Sequence, residues 1–289
     1  MSPRSALPSL LPPTGAQRDS VLALAGQPGL PLRLYGDRTP EGAVPLVLHL
    51  HGGAFVAGDL DSGATVAGLL AAAGAVVVSL AYPLAPAHPF PQGIEAAYAA
   101  LGWTFQQRRR LAGSGSRVYL AGEEAGANLA AALSMVARDR AHPPLAGQVL
   151  ISPLLDPCVG TPSVRAALGA QTCCKWAEGW QQYLRSPMDA EHPYAVPGAS
   201  RRLVDLPPTL VLAGADDPMR DEAQAYAQKL EQAGVAVRLR VLGPETGWPG
   251  TLLEKPAAGA CPCGDAVVGQ LRQFFADTRP AKPRPPPPS

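Results

Sequence analysis

Arg117-Val118-Tyr119-Leu120-Ala121-Gly122-Glu123-Glu124-Ala125-Gly126-Ala127-Asn128-Leu129-Ala130-Ala131-Ala132-Leu133 is the stretch from which the fold follows. Its first five residues form an apolar run of the length and composition of a buried strand, and the Ala- and Leu-rich run from Ala127 reads as a helix. Gly122 and Gly126 bracket the turn between them. Glycine there lets the backbone take a strained conformation that most side chains forbid. Strand, Gly-x-x-x-Gly, helix is the context of a nucleophile elbow, a turn that displays its central residue, normally serine, at the top of a sheet. Here the central residue is Glu124. A turn suited to displaying a hydroxyl carries a carboxylate.

Outward from this unit, strand-like and helical segments alternate. Residues 21–24 and 30–35 read as a hairpin, and 46–50, 75–80, 117–121, 148–152, 209–213 and 236–241 read as strands. Helices are expected at 65–73, 93–110, 127–138, 220–233 and 264–276, with Gly234 as a helix stop. Continuous Val/Leu-rich strands between helices predict an α/β fold with a mostly parallel, twisted sheet covered on both faces. Residues 155–200, rich in Pro, Trp and Tyr, read as an irregular insertion, a cap or lid over the sheet's C-terminal edge. The expected organisation is a flexible N-terminus (1–16), one domain (17–276) and a Pro-rich disordered tail (277–289).

Composition narrows the function classes. With 24 Lys+Arg against 23 Asp+Glu in 289 residues, the chain has no electrostatic footprint for nucleic acid, and Arg108-Arg109-Arg110 reads as a solvated helix end. No window reaches the length of a membrane span, and the N-terminal stretch lacks a continuous signal-peptide apolar region, so a cytoplasmic protein is expected, as monomer or homodimer. Five cysteines make an odd count, and Cys261-Pro262-Cys263 is too tight for a usual zinc pair. Free thiols, no metal and no cofactor are therefore expected.

Two further motifs follow strands: His49-Leu50-His51-Gly52-Gly53-Ala54-Phe55 and Ala81-Tyr82-Pro83-Leu84-Ala85-Pro86-Ala87-His88-Pro89-Phe90-Pro91. Adjacent glycines in the first let backbone N–H groups approach a substrate oxygen, as an oxyanion hole requires. With the 122–126 turn, and with His192-Pro193-Tyr194-Ala195, Leu206-Pro207-Pro208 and Asp217-Pro218-Met219-Arg220-Asp221-Glu222, the chain resembles the hormone-sensitive-lipase-like carboxylesterases of the α/β-hydrolase fold over residues 20–275. That family typically carries His-Gly-Gly-Gly/Ala-Phe, Asp-Tyr-Arg-Leu-Ala-Pro-Glu-His-Pro-Phe-Pro and Gly-Asp-Ser-Ala-Gly-Gly-Asn-Leu-Ala. The resemblance implies that Gly52, Gly53 and Ala125 supply oxyanion-hole N–H groups and that Asp217 is the triad acid. It puts Glu124 at the nucleophile position and Gly247 at the histidine position, and no histidine follows His192.

Other positions depart the same way. Ala81, Pro83 and Ala87 stand where the family usually has Asp, Arg and Glu, and the segment before His51 is short of the family's N-terminal cap helices. His49 and His51 read as buried structural residues, and His88, His142 and His192 as unassigned to catalysis. Glu245, near the vacant histidine position, reads as a solvated loop charge. A carboxylate nucleophile still needs a general base to deliver water. Losing either the nucleophile or the base of such a triad can cost on the order of a million-fold in turnover. The expectation is a pseudoenzyme or binder of a small, mainly apolar or ester-like ligand, with Glu124 seated in the oxyanion hole. Receptors built on this family's scaffold without the triad histidine make binding without hydrolysis a reasonable fate. The alternative is a weak or altered ester hydrolase that uses Glu124 or a displaced base.

Overall fold

The computed structural model describes residues 17–24, 27–38, 42–244 and 264–279. Eight strands form one sheet in the order β1-β2-β4-β3-β5-β6-β7-β8. β1 (Arg18–Leu24) and β2 (Gln27–Tyr35) are an antiparallel hairpin, and β2 joins β4 (Val76–Leu80) antiparallel. From β4 onward every pairing is parallel, through β3 (Leu46–Leu50), β5 (Val118–Glu123), β6 (Gly147–Ile151), β7 (Thr209–Gly214) and β8 (Val237–Leu242). The strands of β3 to β7 are buried throughout, as parallel strands covered on both faces must be.

Period-two alternation splits each strand between two cores. Leu46, Leu48 and Leu50 pack with α2 (Gln92–Ala112) and α3 (Ala125–Asp139), and the same core takes Tyr226 and Leu230 from α6 (Arg220–Gln232). Val47, Tyr119, Ala121, Val149 and Ile151 face the other way, against α1 (Ala64–Ala72) and α7 (Gly264–Asp277). His49, Ser79 and Glu123 fall on this second face by the same alternation. Their row lies toward the strands' C-terminal ends, where the loops that build a site emerge.

The expected strands and helices are present, with β5 running two residues past its expected end, up to Glu123. The larger correction concerns 155–200, which is not mainly irregular. It contains the 22-residue helix α4 (Pro162–Tyr183), the short α5 (Pro187–Ala190) and a 3₁₀ turn at Pro197–Ala199. Thr161 caps α4 by accepting from the Val164 N–H, and Pro162 occupies the first turn, where a missing N–H costs nothing. Proline there marks a helix start, although it contributed to the irregular reading. The expected tails, residues 1–16 and most of 277–289, lie largely outside the described residues.

Candidate active site

The turn between β5 and α3 is held by backbone geometry. Glu124 has φ 52° and ψ −115°, a strained conformation for a side chain with a Cβ. A Cβ on Gly126 would lie 2.0 Å from the Leu50 carbonyl oxygen, and one on Gly122 would lie 2.3 Å from that of Gly126. Only glycine lets β3, β5 and α3 converge this closely. The Glu124 N–H donates to the Ile151 carbonyl (3.0 Å), and its own carbonyl accepts from Leu154 (3.1 Å) and Asn128 (3.2 Å). The turn is thus tied to β6 and to the loop after it.

The Glu124 side chain is buried. Its Oε2 accepts the N–H groups of Gly53 and of Ala54 (3.0 Å), and its Oε1 accepts the indole N–H of Trp176 on α4. Oε1 of Glu123 accepts the N–H of Gly52 (3.2 Å). Two adjacent carboxylates, one from the strand end and one from the turn, therefore take the whole run of donors from Gly52 to Ala54. Gly53, Ala54 and Phe55 all have positive φ (119°, 49° and 67°), which turns successive N–H groups toward one side. Phe55 fixes the loop from below, stacking on Tyr183 at 4.1 Å and tilting on Trp180 at 4.7 Å. Ala125, the other residue expected to supply a donor, is the fully buried first residue of α3.

Glu123 is held in turn. Its Oε2 lies 2.7 Å from His49 Nε2, and His49 Nδ1 lies 3.0 Å from Ser79 Oγ. Parallel register sets this row, since His49 pairs with Ser79 across β3 and β4 and with Ala121 across β3 and β5. The three side chains have the chemistry of a serine, histidine and carboxylate triad, but His49 and Ser79 are fully buried beneath the sheet. His51 is separate: its Nδ1 donates to the Gly52 carbonyl (2.7 Å), and its ring stacks on Tyr82 at 4.4 Å. Burial holds its imidazole below the ordinary histidine value, and the contact to the Gly52 carbonyl, which can only accept, places a proton on Nδ1.

Asp217 is buried in the loop after β7. Its Oδ1 accepts from Met219 N–H (2.8 Å), and its Oδ2 from Gly214 N–H (3.4 Å) and the Ser152 hydroxyl. Gly247 and Glu245 lie outside the described residues. His88, His142 and His192 have local partners instead: Gln92, the Phe105 ring and the Tyr194 N–H. Among the described residues no group of His, Cys, Asp and Glu could hold a metal ion, and no helix is long and apolar enough to cross a membrane.

Sequence reasoning missed Trp176, Ser79 and Ser152. None lies in a motif, and each acts over a long stretch of chain: 52 positions from Trp176 to Glu124, and 65 from Ser152 to Asp217. Ser79 alone left a trace, as the polar residue in the apolar strand Val76-Val77-Val78-Ser79-Leu80.

The profile of a family described as alpha/beta hydrolase fold matches residues 47–246. Esterase LipI of Mycobacterium tuberculosis is 36% identical over 225 residues, 75% of this chain and 70% of that protein. Carboxylesterase NlhH of the same species is 33% identical over 248 residues, 80% of this chain and 74% of that protein. Among solved structures, EstE1, a thermostable carboxylesterase cloned from a metagenomic library, superposes with a TM-score of 0.79 at 30% identity, covering 91% of this chain and 90% of its own.

Proposed function

This chain belongs to the carboxylesterase-type α/β-hydrolase family, and we propose that within it the protein is a pseudoenzyme whose scaffold serves binding rather than ester hydrolysis. The observation that carries the reading is the seat of the Glu124 carboxylate on the Gly53 and Ala54 N–H groups. In a serine hydrolase, such donors stabilise the negative oxygen that develops as a nucleophile attacks an ester carbonyl. A resident carboxylate satisfies them in advance and repels a second anion. The position that would carry the attacking hydroxyl holds the same glutamate, and the sequence beyond His192 offers no imidazole to accept a proton.

Magnitudes favour near-complete loss. Removal of the nucleophile or the base costs on the order of a million-fold, and the residual of about 10³–10⁴ over water comes from the oxyanion hole and binding. Occupation of the hole removes much of that residual. The relatives' names favour ester hydrolysis, and the competing mechanism would use Glu124 as nucleophile or base. Its carboxylate is saturated by three donors, which lowers its nucleophilicity.

The test has two parts. A fluorophosphonate probe is expected to leave the protein unlabelled, and short p-nitrophenyl esters are expected to turn over no faster than with Glu124→Ala. Wild-type turnover that disappears in Glu124→Ala would overturn the reading. Activity gained in a Glu124→Ser, Gly247→His double variant would support the assignment of both positions.

A further inference from the structure

A cleft of about 250 Å³ lies between the start of α2, the end of α3 and residues 192–194, and none of the groups that hold Glu124 line it. Ligand pockets for drug-sized molecules run to roughly 300–1,000 Å³, so this one suits a smaller occupant.

Its floor is apolar. Phe90, Ile94 and Val136 line it and are 6%, 3% and 3% exposed. An arc of rings continues from that floor, with Phe90 and His192 at 5.1 Å and His192 and Tyr194 at 5.1 Å between centroids. His192 Nδ1 accepts the Tyr194 N–H (3.1 Å), which fixes the imidazole in the arc. Tyr98 of α2 adds a fourth ring. Both tyrosine hydroxyls are already in use, Tyr98 donating to the His142 carbonyl (2.8 Å) and Tyr194 to Asp139 Oδ2 (2.8 Å). These rings therefore offer their apolar faces and edges to whatever enters.

Two side chains of opposite charge complete the lining, Glu95 and Arg140. The Arg140 guanidinium lies over the Tyr98 ring, 4.4 Å from its centroid, which covers one face and leaves its N–H edges for an acceptor. Glu95, one helical turn before Tyr98, sits in the first turn of α2, where a carboxylate is favourable. Both are exposed. Among the described residues neither side chain has a hydrogen bond, and no ion pair joins them. The neighbouring acid, Asp139, is by contrast committed to Arg138 at 2.9 Å and to Tyr194. One uncommitted cation and one uncommitted anion beside an arc of rings complement a ligand that carries both charges next to a ring.

We propose that this cleft binds an aromatic α-amino acid, its carboxylate received by Arg140, its ammonium by Glu95 and its ring by Phe90, Ile94 and the His192 imidazole. Arginine suits the carboxylate because its planar fork takes both oxygens at once. An aromatic acid without the ammonium would set its carboxylate beside Glu95 with nothing to offset the repulsion. An aromatic amine without the carboxylate would leave Arg140 facing a second cation.

L-Phenylalanine, 3-phenylpropanoate, phenethylamine and L-alanine separate these contributions by calorimetric titration of the full chain at pH 7. Phenylalanine is expected to bind at least about threefold more tightly than either singly charged analogue, the scale of a solvent-exposed ion pair. It should bind at least about tenfold more tightly than alanine, which has both charges and no ring to bury. Glu95→Gln should remove the advantage of phenylalanine over 3-phenylpropanoate and leave its advantage over phenethylamine. Arg140→Gln should do the reverse. Both positions are exposed, where substitutions rarely disturb folding. No binding of phenylalanine to the wild type, binding of alanine or of either analogue as tight as that of phenylalanine, or variants that keep the wild-type order of affinities would each overturn the proposal.

Discussion

Trp176 of α4 donates its indole N–H to Oε1 of Glu124, so the helix inserted after β6 reaches back to the turn that opens α3. With Gly53 and Ala54 on Oε2, both carboxylate oxygens have donors. A buried carboxylate is tolerated only when its oxygens are satisfied in this way. The inserted helix is therefore part of what keeps the glutamate on the loop.

Trp176→Phe keeps the apolar bulk and removes one charge-assisted hydrogen bond. A loss of about 1.5–3 kcal/mol is expected, read as a lower denaturant midpoint with unchanged slope. An unchanged midpoint would mean that the glycine loop alone holds the carboxylate.

The buried row on the other face of the sheet should respond unequally along its length. His49→Phe leaves Glu123 Oε2 buried without its imidazole partner and should cost about 2–3 kcal/mol, as leaving a buried polar atom unpaired does. Ser79→Ala removes only a hydroxyl to imidazole contact and should cost about 1 kcal/mol. Equal losses from urea denaturation of the two variants would show that His49 is not the centre of the row.

Glycine positions should divide by the space around them. Gly126→Ala places a Cβ 2.0 Å from the Leu50 carbonyl oxygen and is expected to prevent folding or force the turn open. Gly102, in α2, has open space around it, and Gly102→Ala should stabilise by about 0.5–1 kcal/mol through helix propensity. Thermal melting of the two variants reads both outcomes.

Glu222 should make the folded state less stable as pH rises. Burial pushes its folded value up to about 8, above the ordinary 4.5, so the unfolded chain ionises first. Between these values the folded state binds more protons than the unfolded, and stability falls with increasing pH until the folded group also ionises. Glu222→Gln keeps an acceptor for the N–H groups of Leu155 and Asp156 while abolishing the titration. Wild type should therefore lose on the order of a few kcal/mol relative to the variant from pH 5 to pH 8. Parallel pH profiles of stability for the two proteins would contradict the buried acid.

Much of the fold was legible because it is encoded locally. The Val/Leu runs, the helical stretches and the Gly122 to Gly126 turn each depend on neighbouring residues, and their order gives the parallel sheet. The segment 155–200 was the main misreading. Its proline and aromatic content suggested irregular structure, but Pro162 sits where a helix begins, and Trp176, Trp180 and Tyr183 are buried side chains of α4.

The sequence by itself determined that a strand, turn and helix unit presents Glu124, that glycines at 52 and 53 follow a neighbouring strand, and that no histidine follows His192. These are matters of residue identity and short-range backbone geometry. Only the tertiary structure decided where the two adjacent carboxylates go, with Glu124 to Gly53, Ala54 and Trp176, and Glu123 to Gly52 and His49. Strand alternation sends neighbouring side chains to different sides, but which donors await them depends on the β4-β3-β5 register and on how α4 packs back. Those are contacts between residues tens of positions apart, and no local pattern specifies them.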